Sequence, residues 1–164
     1  MGGKDSMRDV LLEALEFETN GRAFFLEAAN KTSDYFGKII FNSLAEEELD
    51  HIEKIKSIAQ SLKENEKWPP PEDHRVEGVK NIFETARVQM DEMIKDRTDD
   101  LTAVKIAIDL EQKGLEFYSG LASKAADVRE KKFYQRLASE EKRHLRVLED
   151  TWRALMEHSS SSLE

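Results

Sequence analysis

The chain has 164 residues, a length that suits one domain with a sizeable core and is short for two independent domains. Its 39% hydrophobic and 36% charged residues, with only seven Gly and three Pro, favour long solvated helices over short strands. The formal net charge of −9 opposes binding to nucleic acid, and a chain without cysteine forms neither disulfides nor thiolate metal sites. Any chemistry must therefore use carboxylates, imidazole, phenol and water.

Neither export nor membrane insertion is indicated. The first ten residues, MGGKDSMRDV, contain no apolar signal segment, and no stretch approaches about 18 consecutive apolar residues. We therefore expect a cytoplasmic protein that does not bind membranes. Residues 1–6 and 159–164 are polar, and we interpret them as flexible tails around a single domain at 7–158.

Apolar residues recur at helical spacing along four long segments, which predicts helices over about 7–31, 34–65, 100–124 and 127–157. Ser33 or Asp34 offers an N-cap for the second helix, and the segment WPPPED ends it. A shorter amphipathic helix is predicted between Val76 and Lys95, and Thr98 or Asp99 caps the helix after it. The pattern predicts an all-α four-helix bundle of two helical hairpins, joined by a long crossover that contains the short helix.

An internal repeat relates the two halves of the chain at an offset of 93 residues. It continues without a gap through both predicted hairpins. The paired residues include Ala14 and Ala107, Glu18 and Glu111, Gly21 and Gly114, Phe24 and Phe117, Glu47 and Glu140, Glu48 and Glu141, and His51 and His144. Two hairpins of one design are therefore expected.

Helix geometry places the repeated acidic and histidine residues at one level of the bundle. Glu18 lies about 14 residues before the first turn and Glu48 about 16 after it, so both lie roughly 21 to 24 Å from that turn. Glu48 and His51 are three residues apart and share one helix face. The second hairpin repeats this arrangement with Glu111, Glu141 and His144. Packing the hairpins face to face would bring four glutamates and two histidines together.

A solvated charged face is the usual meaning of a segment such as AEEELD in a chain with 34 acidic residues. Here, however, a Glu-x-x-His pair occurs at two of the four histidines, at the repeat offset, each with a further Glu 30 positions upstream. This recurrence favours a metal site. We expect His74 and His158 to be solvent-exposed. Four aromatic residues are expected in the core, Phe24, Phe25, Phe117 and Tyr118, and the Tyr118 hydroxyl is within reach of the site.

Charge balance also favours metal ions at the predicted cluster. Four carboxylates in a bundle core would repel one another and raise their pKa values unless cations neutralise them. Two divalent ions balance four negative charges, and mixed carboxylate and imidazole ligation suits Fe(II) or Mn(II), while Zn(II) also binds such ligands. Glu47 and Glu140 lie one turn before the histidines, where they either orient the imidazoles as hydrogen-bond acceptors or face solvent.

Glu18 with Glu48-x-x-His51, and Glu111 with Glu141-x-x-His144, resemble the ligand set of the ferritin-like di-iron carboxylate proteins. The segments ALEFETNGRAFFLEAA, AIDLEQKGLEFYSGLA, LAEEELDH and LASEEKRH resemble the rubrerythrin branch in particular, over nearly the whole chain. The resemblance implies a ferritin-like fold, two iron ions held by those six residues, O2 or H2O2 as oxidant, and a homodimer. Tyr118 is our candidate catalytic residue beside these ligands.

The chain departs from the rubrerythrin pattern at two points that bear on activity. Rubrerythrins carry an extra glutamate one turn after the ligand of the third helix, where this chain has Gly114, and a cysteine-ligated rubredoxin-type domain that has no counterpart here. We therefore expect peroxide reduction or Fe(II) oxidation supported by a separate electron-donor protein. Gly114 and Gly21 are expected to leave a gap through which a small oxidant approaches.

Two other interpretations remain open from the sequence. In one, the same ligands hold iron in a binding or storage protein without turnover. In the other, the chain is a helical interaction module that keeps its charges without a metal function.

Overall fold

The computed structural model describes residues 2–32, 34–65, 67–69 and 98–161, which include four long helices. The helices are α1 (Gly2–Lys31), α2 (Tyr35–Asn65), α3 (Thr98–Lys124) and α4 (Val128–Ser161). No strand occurs in the described residues, and the predicted all-α four-helix bundle is confirmed. The short helix predicted between Val76 and Lys95 lies outside the described residues, as does His74. None of the described helices combines the length and apolar character needed to cross a membrane.

Three helix ends differ from the sequence-based expectation. Helix α3 begins at Thr98 instead of near Asp100, so the predicted caps Thr98 and Asp99 are part of the helix itself. Helix α1 begins at Gly2, inside the predicted tail, and residues 2–6 contain no proline that would interrupt the helix there. Helix α4 continues to Ser161 instead of ending near Glu157. Within this extension, the hydroxyls of Ser159 and Ser160 donate to backbone carbonyls four residues earlier, at 2.9 and 3.1 Å.

The N-caps of α2 and α4 are repeat-related aspartates. The Asp34 carboxylate accepts a hydrogen bond from the backbone N–H of Gly37 at 3.0 Å, which confirms the predicted cap. The Asp127 carboxylate accepts one from Arg129 N at 2.7 Å at the start of α4. Both hairpin turns are therefore fixed by the same chemistry, and this sets the register of each helix pair.

Helix α1 packs along α2 and α3 packs along α4, so each predicted hairpin is a unit of the fold. Buried side chains form two apolar clusters, one on each side of the acidic level. The first includes Phe25, Phe36, Phe41, Leu44, Ala107 and Leu148, and the second includes Leu11, Ala14, Ile55, Tyr118, Tyr134, Leu137 and Trp68. Burying one large apolar side chain contributes about 1.5–3 kcal/mol, so these clusters dominate the stability of the bundle.

A buried polar contact joins the two hairpins near the first turn. The hydroxyl of Thr32 donates to the carboxylate of Asp100, and both residues are buried. Thr32 also lies so close to Gly37 that a Cβ at residue 37 would be 2.9 Å from its hydroxyl oxygen. A side chain at residue 37 would therefore displace Thr32, whose hydroxyl joins the turn of the first hairpin to Asp100 of α3.

Candidate metal centre

Six polar side chains lie between the two apolar clusters, and none exposes more than 3% of its surface. They are Glu18, Glu48, His51, Glu111, Glu141 and His144. Each follows from its place on an apolar helix face: Glu18, for example, lies four residues after Ala14 and seven before Phe25, both of which are buried. The structure thus brings together all six residues that the sequence predicted as metal ligands.

The six residues form two groups in which one ligand atom from each member lies within 4.8 Å of the others. The first group is Glu18, Glu48, His51 and Glu141, and the second is Glu48, Glu111, Glu141 and His144. Glu48 and Glu141 belong to both groups. The arrangement could therefore hold two cations, with two shared carboxylates between them and one further glutamate and one histidine on each side.

Both histidines turn Nδ1 towards the carboxylates. Nδ1 of His51 lies 3.3 Å from Glu18 Oε2 and 3.2 Å from Glu141 Oε1. Nδ1 of His144 lies 3.2 Å from Glu48 Oε1 and 3.5 Å from Glu111 Oε1. The two imidazole rings stack with their centroids 5.5 Å apart and their planes 13° apart. Each ring therefore presents one nitrogen to the centre and leaves Nε2 for a different partner.

The Nε2 atoms are held by Glu140 and Glu47, in a crosswise pattern between the hairpins. Nε2 of His51 lies 2.7 Å from Glu140 Oε2, and Nε2 of His144 lies 2.8 Å from Glu47 Oε2. Glu140 is buried, and only 11% of the Glu47 side chain is exposed. The solvent-facing alternative for these two residues is wrong, because each contacts the histidine of the opposite hairpin.

Two basic side chains, Lys54 and Arg143, also contact the outer glutamates, and the sequence analysis did not identify them. Nζ of Lys54 lies 3.3 Å from Glu140 Oε1, and Nη2 of Arg143 lies 2.8 Å from Glu47 Oε2. The repeat offset gives no signal for them, since it pairs Lys54 with Val147 and Arg143 with Asp50. With these cations, each outer carboxylate is neutralised on one side and accepts from an imidazole on the other.

In the metal-free centre, the pKa of Glu48 is shifted in the opposite direction from those of Glu18 and Glu111. Burial, followed by the charge of Glu48, raises the pKa of Glu18 well above its ordinary value, and burial with the charge of Glu141 does the same for Glu111. Burial opposes ionisation of Glu48 as well, but hydrogen bonds with Glu18 and both histidines bring its pKa well below the ordinary value. Glu48 is therefore more acidic than Glu18 and Glu111.

The pKa values of the two histidines are raised, and those of the two outer glutamates, Glu47 and Glu140, are lowered. Burial lowers the pKa of His51, but bonds to Glu140 and Glu141 outweigh it and raise the pKa well above 6.5. The pKa of His144 is raised in the same way, against burial, chiefly by Glu111. Burial likewise opposes ionisation of Glu140, yet His51 and Lys54 lower its pKa to about 2. In the metal-free protein, protons therefore occupy atoms that could bind cations.

The donor set fits a pair of divalent cations. Several buried atoms that face the centre lie close to one another but form no hydrogen bond of normal geometry among the described residues, namely Glu48 Oε1, Glu111 Oε2, Glu141 Oε1 and His144 Nδ1. Buried polar atoms without partners are costly, and cations would satisfy them. Four carboxylates also balance two divalent charges, and the mixture of oxygen and imidazole donors suits iron or manganese and accommodates zinc.

Tyr118 breaks the equivalence of the two halves. It is fully buried, and its hydroxyl donates a hydrogen bond to Glu18 Oε1. Burial and the charge of Glu18 raise the pKa of Tyr118 well above 10.0, so the phenol stays protonated. The repeat pairs Tyr118 with Phe25, which has no hydroxyl to offer to Glu111. The predicted reach of Tyr118 into the site is thus observed, while its catalytic role stays a prediction.

The prediction of a gap beside Gly114 is wrong. A Cβ at residue 114 would lie 2.8 Å from Glu141 Oε2 and 3.0 Å from the ring of Phe17, so the space is already filled. A Cβ at Gly21 would make ordinary contact, 3.8 Å from Glu48 Oε2, and would meet no other described side chain within 4 Å. The difference has two parts: the carboxylate oxygen is nearer at Gly114, 2.8 against 3.8 Å, and Phe17 has the smaller Leu110 as its repeat counterpart.

The remaining predicted residues fall mostly where expected. Phe25 and Tyr118 are core residues, and Phe24 and Phe117 are partly buried against the clusters. His158 was expected in solvent but lies half-buried on α4, where its Nδ1 is 2.8 Å from the carbonyl oxygen of Ala154. The extension of α4 past Glu157 explains this, because it places His158 in a helical turn.

Fold and site together define a ferritin-like helical bundle with a buried carboxylate and histidine centre. The sequence profile of the Rubrerythrin family matches residues 9–152, and the chain belongs to this family. Its fold is similar to the solved structure named Hypothetical Protein Pfu-1136390-001 From Pyrococcus furiosus, with a TM-score of 0.63 and 20% sequence identity, over 92% of this chain and 90% of that one. At this identity the likeness shows the shared fold alone. No curated protein matches the chain.

Proposed function

We propose that the chain is a di-iron oxidoreductase, in which two iron ions react with O2 or H2O2 and the outcome is peroxide reduction or oxidation of Fe(II). The observation that carries the proposal is the sharing of Glu48 and Glu141 between two groups of buried ligand atoms. Shared carboxylates allow two metal ions to lie close enough to act on one small molecule. Membership of the rubrerythrin family supports iron as the metal.

The residues of the chain have separate roles in this proposal. Glu18 and His51 would hold one ion, Glu111 and His144 the other, and Glu48 and Glu141 both. The bound ions would supply the redox chemistry. Glu47 and Glu140 fix the imidazole rings with Nδ1 directed inward, which selects the tautomer that can bind a metal. The glycine face at Gly21 is the less crowded side of the centre, so we place the approach of the small oxidant there.

The donor of electrons has to be external to the described bundle. The sequence contains no cysteine that could hold a rubredoxin-type iron. We therefore propose that the reduced protein reacts with O2 or H2O2 in a single turnover and that sustained turnover needs a separate donor protein. A homodimer in the cytoplasm remains our expectation for its assembly and location.

The test is stopped-flow oxidation of the di-Fe(II) protein, followed by steady-state assays with and without an added rubredoxin and its reductase. We expect rapid oxidation of the metal centre in one turnover, and continued consumption of peroxide only with the donor present. Rapid multiple turnover with NADH alone, or no reaction of the reduced centre with either oxidant, would contradict the proposal. The Glu48→Ala variant is the control, since it removes a shared ligand.

Iron binding or storage without turnover is the competing interpretation, and the same measurements separate it. A storage protein would take up iron and keep it, with no catalytic oxidation of added Fe(II). A protein that holds no metal after reconstitution would instead support the interaction module. Metal analysis with an optical spectrum therefore precedes the kinetic experiment.

A further inference from the structure

A continuous row of oxidisable aromatic side chains leads away from the metal centre along one end of the bundle. The Tyr118 hydroxyl donates to Glu18, and the Tyr118 ring stacks on Tyr134 with centroids 6.5 Å apart and planes 19° apart. Tyr134 in turn contacts Trp68 edge to face, with centroids 5.9 Å apart. Both spacings are those of rings in direct contact. Since electron tunnelling falls off steeply with distance, direct contact is the condition for fast transfer between rings.

The repeat provides an internal comparison for this row. The offset that relates the hairpins pairs Tyr118 with Phe25 and Tyr134 with Phe41. Phe25 and Phe41 stack in nearly the same geometry, with centroids 6.3 Å apart and planes 24° apart. Packing alone is therefore satisfied by phenylalanine at both positions. At these two pairs of positions, tyrosine, with its hydroxyl and lower oxidation potential, occurs only in the second half, which packing does not explain.

The row ends at a surface cavity. Trp68 is 4% exposed and lines a cavity of about 880 Å³ that lies against α1, α2 and the start of α4. Leu11, Ile55 and Leu62 form apolar parts of the same wall. The other tryptophan, Trp152, is more exposed than Trp68 and packs against the cluster that contains Phe25 and Phe41. One tryptophan therefore lies on the tyrosine side and the other on the phenylalanine side.

The three side chains of the row differ in whether a proton acceptor allows them to hold a radical. Oxidation of a phenol releases its proton, and Tyr118 has the Glu18 carboxylate as an acceptor. The Tyr134 hydroxyl is buried and has no hydrogen-bond partner among the described residues, so a radical there would retain an unfavourable charge. The Trp68 N–H has no partner among the described residues either, but tryptophan can lose an electron while it keeps its N–H, and Trp68, unlike Tyr134, lines the surface cavity. The electron vacancy would therefore reside on Tyr118 or Trp68, with the Tyr134 ring as the bridge.

We propose that Tyr118, Tyr134 and Trp68 form a relay that carries oxidising equivalents from the metal centre to the surface cavity when no donor supplies electrons. The proposal rests on the proposed reaction with O2 or H2O2. Tyr118 gives one electron to the oxidised centre and its hydroxyl proton to Glu18. Trp68 then gives one electron to the Tyr118 radical through Tyr134, while Glu18 returns the proton. The Trp68 radical cation is finally reduced at the cavity by a soluble one-electron reductant such as ascorbate.

The first experiment locates oxidative damage in the iron-loaded protein after H2O2 is added without a donor. Peptide mass spectrometry measures oxidation of Trp68 and Trp152. Oxidant from bulk solvent would modify the more exposed Trp152 first, whereas the relay directs oxidation to Trp68. In the Tyr118→Phe variant, oxidation of Trp68 should fall to the level of Trp152, and ascorbate should suppress Trp68 oxidation in the unmodified protein.

Tyr35→Phe is the matched control, because Tyr35 is 51% exposed and outside the row. It should leave the Trp68 signal unchanged. Iron oxidation is followed optically in the same samples. If iron is oxidised normally but Trp68 is spared, or if Tyr118→Phe leaves Trp68 oxidation unchanged, the relay is wrong while the proposed function stands.

A second measurement needs no metal. In the metal-free Trp152→Phe variant, azide radicals from pulse radiolysis oxidise Trp68, and transient absorption follows the tryptophan radical. We expect it to reach an intramolecular equilibrium with a tyrosyl radical at a rate independent of protein concentration, and the tyrosyl signal should be lost on adding Tyr118→Phe. The same ring contacts carry the electron in both directions, and in the relay the removal of the Trp68 radical by the soluble reductant draws this equilibrium towards Trp68. An equal rate with and without Tyr118 would overturn the relay even if the iron never reacts, and its loss would support the relay in that case.

Discussion

The Glu140 carboxylate lies 2.7 Å from Nε2 of His51, a residue of the opposite hairpin. This contact fixes the ring so that Nδ1 faces the centre. The Glu140→Ala variant should therefore bind metal about 10–100-fold more weakly at the His51 side, as is usual when the acceptor behind a metal-binding imidazole is removed. A chelator competition titration measures this affinity. Glu149→Ala, an exposed change on the same helix, should have no effect.

Variants that lack a shared glutamate should bind fewer metal ions than variants that lack an unshared one. Glu48→Ala removes an oxygen ligand from both groups, so both ions should be weakened together, whereas Glu18→Ala should leave the group around Glu111 intact. Metal analysis after dialysis counts the ions that remain. Glu46→Ala, at an exposed position two residues from Glu48, is the control. Full loading of a Glu18→Ala, Glu111→Ala double variant would refute the ligand assignment.

The two repeat-related glycines should respond differently to the same substitution. Gly114→Ala forces a Cβ against Glu141 and Phe17, and such overpacking should cost about 1–3 kcal/mol in free energy of unfolding. It should also weaken metal binding, because the Glu141 carboxylate has to move. Gly21→Ala meets only ordinary contacts and should stabilise the helix by about 0.5–1 kcal/mol. Urea unfolding of both variants measures these changes in the free energy of unfolding. Equal changes would contradict the predicted difference between the two glycines.

The metal-free protein should lose stability as the pH rises above 6.5. The folded-state pKa values of His51 and His144 lie well above the ordinary value of 6.5, so their contribution is complete below 6.5 and is lost as pH rises through the folded values. The raised pKa values of Glu18 and Glu111 act in the same direction. Urea unfolding of the metal-free protein on either side of pH 6.5 tests this.

Two further trends check the sign of that dependence. The pKa of Glu140 is lowered to about 2, so its contribution is present above the ordinary carboxyl value of 4.5 and is lost as the pH falls towards 2. The stability of the metal-free protein should therefore pass through a maximum in mildly acid solution. With metal bound the trend above pH 6.5 should reverse, because metal and protons compete for the same atoms. Identical melting of both forms at neutral pH would argue against a core metal site.

The helices and the six central residues could be predicted because their signals are local or repeated. Helical periodicity fixes the face on which Glu48 and His51 lie, and the repeat offset doubles the evidence. Contacts between the hairpins carry no such signal. The crosswise bond of Glu140 to His51 and the placement of Phe17 against Gly114 depend on how two separate helix pairs approach each other, which spacing within one pair does not determine.

The crosswise contacts are reciprocal: Glu140 contacts His51 of the opposite hairpin, and its repeat counterpart Glu47 contacts His144. Such reciprocity is the mark of a two-fold symmetric dimer. One hairpin paired with its own copy would supply every residue of the centre, so the chain has the organisation of a duplicated ancestral hairpin. Fusion of the copies allows each position to mutate alone. Tyr118 against Phe25 is a divergence that a pair of identical hairpins could never have held.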